Sequence, residues 1–176
     1  ELLKKNKIIV ELAERLQDCG IKALTIHGRT KEQMYKGLAD WTLIGAVKNN
    51  PRIHIPIFGN GDITSPLKAW EMKNKFGVDG IMIGRASIGN PYIFKEVKHY
   101  LQTQQLLPLP GINEKIEICQ QHLLYAVTLK GEKRALIEMR CHYSNYYKGL
   151  PNFKPFRMQL MNASELQEVL SVFSAI

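Results

Sequence analysis

The fold is decided by a short apolar run that ends in glycine and arginine, ALTIHGRT at residues 23–30. Two runs of the same kind follow along the chain, IPIFGNGD at residues 55–62 and GIMIGRA at residues 80–86. Each run is rich in branched residues and lies between stretches with helical periodicity. This alternation predicts parallel strands in repeated βα units, and therefore an α/β fold.

The predicted strands begin at residues 23, 55 and 80. A TIM (β/α)8 barrel uses about 31 residues for each unit, which fits this spacing, and an open doubly wound sheet fits it as well. Three strands cannot close a barrel. On the barrel interpretation we therefore expect the other strands to lie before Glu1 or in another chain, and a first residue other than methionine agrees with a processed or partial chain.

The strand-like alternation disappears in the second half of the chain. The sequence predicts the C-terminal part of a βα barrel over residues 1–101, a linker over residues 102–112 that contains Pro108, Pro110 and Gly111, and a small all-α domain over residues 113–176. Helices are expected from Asn113 to about residue 130, over residues 132–148 and over residues 164–173. In the first half, Asp40 and either Thr64 or Ser65 are expected to cap helices, with Pro66 in the first turn of the second of these helices.

The composition is that of an ordinary soluble protein, with 176 residues, 45% hydrophobic and 23% charged. No apolar run is long enough to cross a bilayer, and the three cysteines form neither a disulfide framework nor a metal clip, which predicts a cytoplasmic protein. The formal charge of +8 favours a polyanionic partner such as nucleic acid.

Polar residues follow the first predicted strand, where a barrel has its active-site face. The sequence has no nucleotide-binding phosphate loop, no dinucleotide fingerprint and no zinc motif, so these strand ends are the best candidates for chemistry. Gly28 would let the backbone approach a ligand, while His27 and Arg29 can engage an anionic or oxygen-rich ring. The alternative is a histidine bonded to a neighbouring loop beside a solvated arginine.

Two glycine-containing turns follow the next strands, GNGD at residues 59–62 and GRA at residues 84–86. Turns on consecutive strands can direct backbone N–H groups at one phosphate, and Arg85 adds a charge-assisted hydrogen bond. The loops after the last two strands of a barrel frequently form such a phosphate site. The alternative is that these glycines only make tight turns.

Basic residues surround an aromatic cluster in the helical half. Such a pattern is typical of RNA-binding surfaces, where cations contact phosphates and rings stack on bases, and equally of a solvated helix face over an aromatic core. Trp41 and Trp70 are expected to be core or helix-packing residues rather than stacking platforms, and Cys119 and Cys141 are expected to be buried thiols. His54, His99 and His122 show no partner. The basic residues are Lys130, Lys133, Arg134, Arg140, Lys148, Lys154 and Arg157, and the aromatic ones are Tyr143, Tyr146, Tyr147 and Phe153.

These motifs, in this order, resemble the tRNA-dihydrouridine synthases. The resemblance rests on CGIKALTIHGRT at residues 19–30, ADW at 39–41, GNGDI at 59–63 and GIMIGRA at 80–86. It continues in YYKGLP at residues 146–151, which is similar to the C-terminal helical domain of the bacterial-type members, and it covers most of residues 8–160. It implies an FMN-bearing TIM barrel and a helical tRNA-binding domain. In that family NADPH reduces the flavin, which passes a hydride to a uracil extruded from tRNA.

The resemblance also implies roles for individual residues. His27 would lie against the flavin and the uracil, Arg29 would hold the flavin or the target nucleotide, and Asp62 would brace its loop at the cofactor site. The FMN phosphate would be bound by Asn60, Gly61, Gly84 and Arg85. The tRNA would be held by Lys130, Lys133, Arg134, Arg140, Lys148 and Arg157.

The sequence departs from the family pattern in one respect. The family's proton-donating cysteine and a flavin-contacting lysine belong to earlier parts of the barrel, and Cys19, Cys119 and Cys141 do not match that cysteine's motif. We therefore expect half a flavin site on this chain and the remainder on a longer enzyme. Two other interpretations stay open: an RNA-binding remnant without catalysis, and another FMN-dependent barrel oxidoreductase of the dihydroorotate dehydrogenase type.

Overall fold

We describe the fold from a computed structural model, which describes residues 8–176. The chain forms two compact units. The first, here called the βα unit, extends to Ser87 and includes Ile93–Leu107. The second, the helical unit, consists of Ile88–Tyr92 and Pro108–Ile176.

Helices and strands alternate along the βα unit as the sequence predicts. Each strand lies within its predicted run and is three or four residues long. In chain order the elements are α1 (Ile8–Asp18), β1 (Leu24–His27), α2 (Thr42–Lys48), β2 (Ile57–Asn60), α3 (Pro66–Phe76), β3 (Gly80–Met82), a 3₁₀ turn (Arg85–Ser87) and α4 (Ile93–Thr103).

The three strands form one parallel sheet in the order β1-β2-β3. In its register His27 lies beside Asn60, and Asn60 lies beside Met82. The carboxyl ends of all three strands therefore meet at one edge of the sheet. The outer edges of β1 and β3 have no strand partner among residues 8–176.

Local signals explain where the helices of this unit begin. The Ser65 hydroxyl accepts a hydrogen bond from the Lys68 N–H at 3.2 Å, and Pro66 occupies the first turn, as predicted. The predicted cap Asp40 lies one residue earlier than the assigned N-cap, Trp41, although its carboxylate accepts the N–H of Thr42 at 3.0 Å.

The core of the βα unit forms between the sheet and the helices. Trp41 is buried there, as predicted, and packs near Phe76. Trp70 does not lie in the core, because it is 38% exposed. The buried face of α3 is formed by Pro66, Ala69 and Met72, at a spacing of three residues, so Trp70 lies on its flank.

The helical unit contains four helices where the sequence predicted three. Its elements are α5 (Ile112–Lys130), α6 (Glu132–Tyr146), α7 (Lys154–Asn162) and α8 (Leu166–Ala175). Helix α7 was not predicted, because a proline such as Pro155 usually breaks a helix. Pro155 lies in the first turn of α7, where a proline is tolerated. The cap of α5 is Gly111 rather than Asn113, and a capping box of Glu165 and Glu168 starts α8.

The aromatic cluster is the core of the helical unit. Tyr143, Tyr146 and Tyr147 are at most 4% exposed, and the ring of Tyr147 lies 4.5 Å from that of Phe153. These rings are not available to stack on bases. Of the two alternatives that the sequence left open, the aromatic core is the one that the structure supports.

Two further predictions for this unit are corrected by the structure. Cys119 is buried, and burial raises the pKa of its thiol to about 12, but Cys141 is exposed. His122 does have a partner, because its Nδ1 atom lies 3.0 Å from the Tyr146 hydroxyl and its ring meets that of His142 edge to face.

Candidate functional site

The carboxyl ends of β2 and β3 open onto a cavity of about 720 Å³. Six of the seven residues predicted to bind a cofactor line this cavity. The seventh, Arg29, does not line it but donates a hydrogen bond to Asp62, which does. Sequence reasoning missed Tyr35 and Lys68. Lys68 could have been identified from the sequence, because it lies in the first turn of the helix that Ser65 caps. The predicted lining residues are His27, Asn60, Gly61, Asp62, Gly84 and Arg85.

Asp62 is the centre of a charged network at the rim of this cavity. Its two carboxylate oxygens accept hydrogen bonds from Nη2 of Arg29 at 2.8 and 2.7 Å, and Oδ1 accepts another from Nη2 of Arg85 at 2.9 Å. Oδ2 also accepts the Ala39 N–H at 2.7 Å. One carboxylate thus joins the loops that follow all three strands, as the predicted bracing role requires.

The network determines the charge of Asp62. Burial raises the pKa of this carboxyl, but the Ala39 N–H and the guanidinium groups of Arg29 and Arg85 outweigh burial, and the net pKa lies below the ordinary value. Asp62 is therefore ionised at neutral pH and holds both arginines in place.

Arg29 is buried, contrary to the alternative of a solvated arginine. Only 4% of its side chain is exposed, and Nη2 also donates to the Gly37 carbonyl at 2.7 Å. Its Nε and Nη1 atoms are buried without a hydrogen-bond partner in the described part of the chain. Buried donors normally have a hydrogen-bond partner. These two donors of Arg29 are therefore available to a ligand or to a further segment of protein. A second cavity, of about 220 Å³, lies against Arg29 along β1.

His27 presents one defined ring nitrogen. Its Nδ1 atom accepts the N–H of Arg29 at 3.1 Å, so the neutral ring carries its proton on Nε2. The ring is exposed at the end of β1 and lines the cavity. His27 can therefore donate a hydrogen bond from Nε2 to a ligand oxygen or nitrogen.

Gly28 packs closely against the protein's own loop. A Cβ atom at this position would lie 2.9 Å from the carbonyl oxygen of Asp40. Gly28 also lines the second cavity, so the approach of a ligand to its backbone stays a prediction.

The two glycine turns, whose residues line the cavity, contain backbone donors without a partner among the described residues. Among residues 8–176 no acceptor takes the N–H groups of Gly61, Asp62, Gly84 or Arg85. Gly61 has φ +127°, and a Cβ there would lie 2.6 Å from that of Ala39, so glycine is required. Such clusters of N–H groups beside a guanidinium form a nest for anions.

Asn60 and Arg85 complete the polar rim. The amide Nδ2 of Asn60 donates to the Met82 carbonyl at 2.8 Å, which joins the ends of β2 and β3 and leaves its Oδ1 as an acceptor. Arg85 is half-exposed, and its guanidinium lies 4.7 Å from the centre of the Tyr35 ring. It can turn toward a bound anion without breaking a buried contact.

The basic residues of the helical unit differ in their surroundings. Lys130 and Arg134 both bind the carboxylate of Glu138, the latter at 2.8 Å. Arg140 is half-buried and donates to the Ala163 carbonyl at 3.3 Å, so it also supports the fold. Four are exposed and make no ion pair within residues 8–176: Lys133, Lys148, Lys154 and Arg157.

Parallel βα units with polar residues at the carboxyl ends of their strands, followed by a helical unit, define a class: part of a TIM barrel with a helical domain after it. The family model for dihydrouridine synthase matches residues 3–176, and the chain belongs to this family. No helix within residues 8–176 is both long and apolar enough to span a membrane.

Similar proteins carry the same family name. The chain is 42% identical over 167 residues to tRNA-dihydrouridine synthase B of Proteus vulgaris, which covers 93% of this chain and 51% of that protein. It is 40% identical over 162 residues to the B enzyme of Pseudomonas putida, covering 92% and 47%. A probable tRNA-dihydrouridine synthase of Rickettsia conorii is 39% identical over 153 residues, covering 86% and 46%. The chain thus spans about half the length of these curated relatives.

Proposed function

We propose that the protein containing this chain reduces specific uridines in tRNA to 5,6-dihydrouridine, with FMN as its cofactor and NADPH as the reductant. Family membership supports the reaction, and the relatives that carry the name tRNA-dihydrouridine synthase support the substrate. The cavity at the carboxyl ends of β2 and β3 is the observation that carries the cofactor proposal. We expect the protein to act in the cytoplasm.

The residues around the cavity fit a flavin mononucleotide. The cavity volume of about 720 Å³ lies within the range of small-molecule sites. The free N–H groups of Gly61, Asp62, Gly84 and Arg85, together with the Arg85 guanidinium, suit a phosphate dianion. Bound there, FMN would supply hydride transfer.

The other residues of the site bind and orient. His27 would donate from Nε2 to the flavin or the uracil, in the tautomer that the Arg29 N–H selects. Asn60 would offer its amide oxygen, since its nitrogen is bonded to Met82. Arg29 and Asp62 would hold the loops at a fixed distance, with Arg29 offering its two free donors to the ligand or to a neighbouring segment.

We propose that the proton donor to uracil comes from outside residues 8–176. Cys19 follows α1 and precedes β1, so it lies at the amino edge of the sheet, opposite the cavity. Cys119 is buried, with a raised pKa, and Cys141 donates its thiol to the Glu138 carbonyl at 3.0 Å. None of the three lines the cavity.

The helical unit would bind tRNA through its basic side chains. Lys133, Lys148 and Arg157 are exposed and can contact phosphates directly. Lys130 and Arg134 would contact phosphates only with their charge partly neutralised by Glu138, and Arg140 would act by supporting the fold.

The proposal is tested first by cofactor binding. We expect the whole protein to bind FMN at least about tenfold more tightly than riboflavin, since charge-assisted hydrogen bonds to the phosphate contribute about 1.5–3 kcal/mol each. Arg85→Ala should reduce this preference, whereas Arg52→Ala, an exposed arginine of the same unit paired with Glu14, should not. Equal affinity for FMN and riboflavin in the native protein would refute the phosphate site.

The activity is tested with unmodified tRNA and NADPH, and mass spectrometry of the tRNA should show the gain of two hydrogen atoms at defined uridines. A protein that binds tRNA but no flavin would favour the RNA-binding remnant. A flavoprotein that leaves tRNA unchanged and binds it no better than other polyanions would favour another barrel oxidoreductase.

A further inference from the structure

Trp41 makes a buried hydrogen bond to one of the two glycine turns. Its indole Nε1–H donates to the Gly61 carbonyl oxygen at 3.1 Å, across 20 residues of sequence. The indole is 2% exposed, so no water competes for this bond. Trp41 itself does not line the cavity, whereas Gly61 and Asp62 do.

The indole ring is held rigidly by its surroundings. A Cβ atom on Gly59 would lie 2.0 Å from a ring carbon of Trp41, so the ring occupies the space that the glycine leaves on β2. The Phe76 ring packs against it with centroids 5.9 Å apart. The direction of the Nε1–H bond is therefore fixed by core packing.

The hydrogen bond determines which way the next backbone donor points. In a planar trans peptide the C=O and the following N–H lie on opposite sides of the chain. Because the Gly61 carbonyl points into the core toward Trp41, the Asp62 N–H points away from the core, on the side where both residues line the cavity. No acceptor among residues 8–176 takes this N–H.

This peptide is held in a conformation that the backbone does not prefer. Asp62 has φ +56°, and Gly61 has φ +127°. A non-glycine residue at positive φ is disfavoured by roughly 1 kcal/mol or more, and a flip of the Gly61–Asp62 peptide would relieve this cost while turning the Asp62 N–H away from the cavity. The Trp41 hydrogen bond opposes that flip.

We propose that Trp41 is a positioning residue for phosphate recognition: its indole N–H holds the Gly61–Asp62 peptide so that the Asp62 N–H faces the phosphate of the ligand. The inference rests on the proposed flavin phosphate site. Trp41 acts through the backbone of Asp62 and touches no ligand.

The test compares FMN with riboflavin, which lacks the phosphate, in variants of the whole protein. Trp41→Phe keeps an aromatic ring and removes the donor. Site-specific replacement of Trp41 alone by benzothienylalanine keeps the ring volume as well and replaces only the N–H by sulfur. Trp70→Phe alone is the matched control, because Trp70 lies on the exposed flank of α3.

We expect FMN to bind roughly tenfold more weakly to both Trp41 variants, while riboflavin affinity stays within about twofold. Trp70→Phe should keep the FMN preference of the native protein. If Trp41→Phe does not fold, as circular dichroism would show, the benzothienylalanine protein decides the matter. A folded Trp41 variant with the native preference would overturn the inference, whereas a native protein without any FMN preference would instead overturn the phosphate site on which it rests.

Discussion

Both carboxylate oxygens of Asp62 accept hydrogen bonds from the Nη2 atom of Arg29, at 2.8 and 2.7 Å, although 33 residues separate the two in sequence. Arg29 is almost completely buried, so this pair neutralises a cation that water does not reach. A buried guanidinium that loses its counter-charge is costly, because its desolvation is no longer compensated. The stability of the βα unit and the shape of its cavity therefore depend on the same carboxylate.

Asp62→Asn should lower the free energy of unfolding by about 2–4 kcal/mol, because Arg29 loses its counter-charge. Asparagine adopts positive φ as readily as aspartate, so the backbone cost at φ +56° is unchanged. The effect comes from the lost charge together with one acceptor oxygen that becomes an amide donor. Urea unfolding of the whole protein measures it. Glu71→Gln, which removes the exposed pair with Lys68, should cost at most about 1 kcal/mol, and equal losses in the two variants would contradict the argument.

The same pair predicts a dependence on pH. The pKa of Asp62 is lower in the folded state than the usual value of about 3.9, so its stabilising contribution is complete above about pH 4 and is lost as the pH falls through the folded-state pKa. Native protein should lose stability steeply below about pH 4, and Asp62→Asn should show a shallower loss over that range.

Among the glycines of the helical unit, Gly89 has the least space for a side chain. Its φ is +64°, and a Cβ atom would lie 2.5 Å from the His142 carbonyl oxygen and 2.7 Å from the Asn145 Cβ. Gly89→Ala should destabilise the helical unit by more than about 2 kcal/mol, since it combines a left-handed backbone with overpacking.

The control for that prediction is Gly149→Ala. Gly149 has φ +86°, but nothing lies within 4 Å of a Cβ there, so only the backbone cost of about 1–2 kcal/mol applies. Thermal unfolding of both variants measures the difference. If Gly149→Ala is as destabilising as Gly89→Ala, the packing against His142 contributes nothing.

The fold was predictable wherever local signals are strong. Periodicity identified all three strands, and Ser65 with Pro66 identified the start of α3. Helix α7 was missed because one proline, Pro155, suggests a break unless its place in the turn is known. The exposure of Trp70 depends on which face of α3 is buried, and this is decided by the sheet rather than by the residues beside it.

The position of the candidate site was predictable from the sequence, but its hydrogen-bond network was not. The rule that parallel strands share a carboxyl edge brought six predicted residues to one cavity. The Arg29–Asp62 pair was not predictable, because it joins loops 33 residues apart and depends on a backbone with positive φ at Asp62. Likewise, burial of Tyr143 follows from the packing of four helices, and the spacing of aromatic residues fits a core and an RNA surface equally well.

Lys133→Ala should weaken tRNA binding and make its salt dependence less steep by about one unit in log K against log salt concentration, as expected for one lost phosphate contact. Arg134→Ala should have a smaller effect, because Glu138 already neutralises Arg134 at 2.8 Å. Lys22→Ala, an exposed lysine before β1, is the control. Filter binding of tRNA at several salt concentrations measures these slopes. An unchanged slope of log K against log salt concentration for Lys133→Ala would exclude Lys133 from the tRNA interface.

His122 and His142 predict that the helical unit loses stability in mild acid. The rings lie 4.8 Å apart between α5 and α6. Burial lowers the pKa of both; for His122 the neighbouring His142 and Lys130 lower it further, and for His142 the lowering by Lys130 opposes a rise caused by Glu138. The unfolded chain, with a histidine pKa near 6.5, therefore binds more protons than the folded chain at a pH just below that value.

The sign follows from this difference. Stability is complete above about pH 6.5 and falls with pH, by at most about 1.4 kcal/mol per pH unit for each histidine, until the folded-state pKa values are passed. His142→Asn should flatten this slope, whereas His54→Gln, an exposed histidine of the βα unit, should not. Thermal unfolding between about pH 7.5 and pH 5 measures how steeply the stability of each variant changes with pH. The readout is circular dichroism at about 222 nm, the helical band. The prediction fails if native protein and His142→Asn lose stability in parallel, because the histidine pair would then titrate as it does in the unfolded chain.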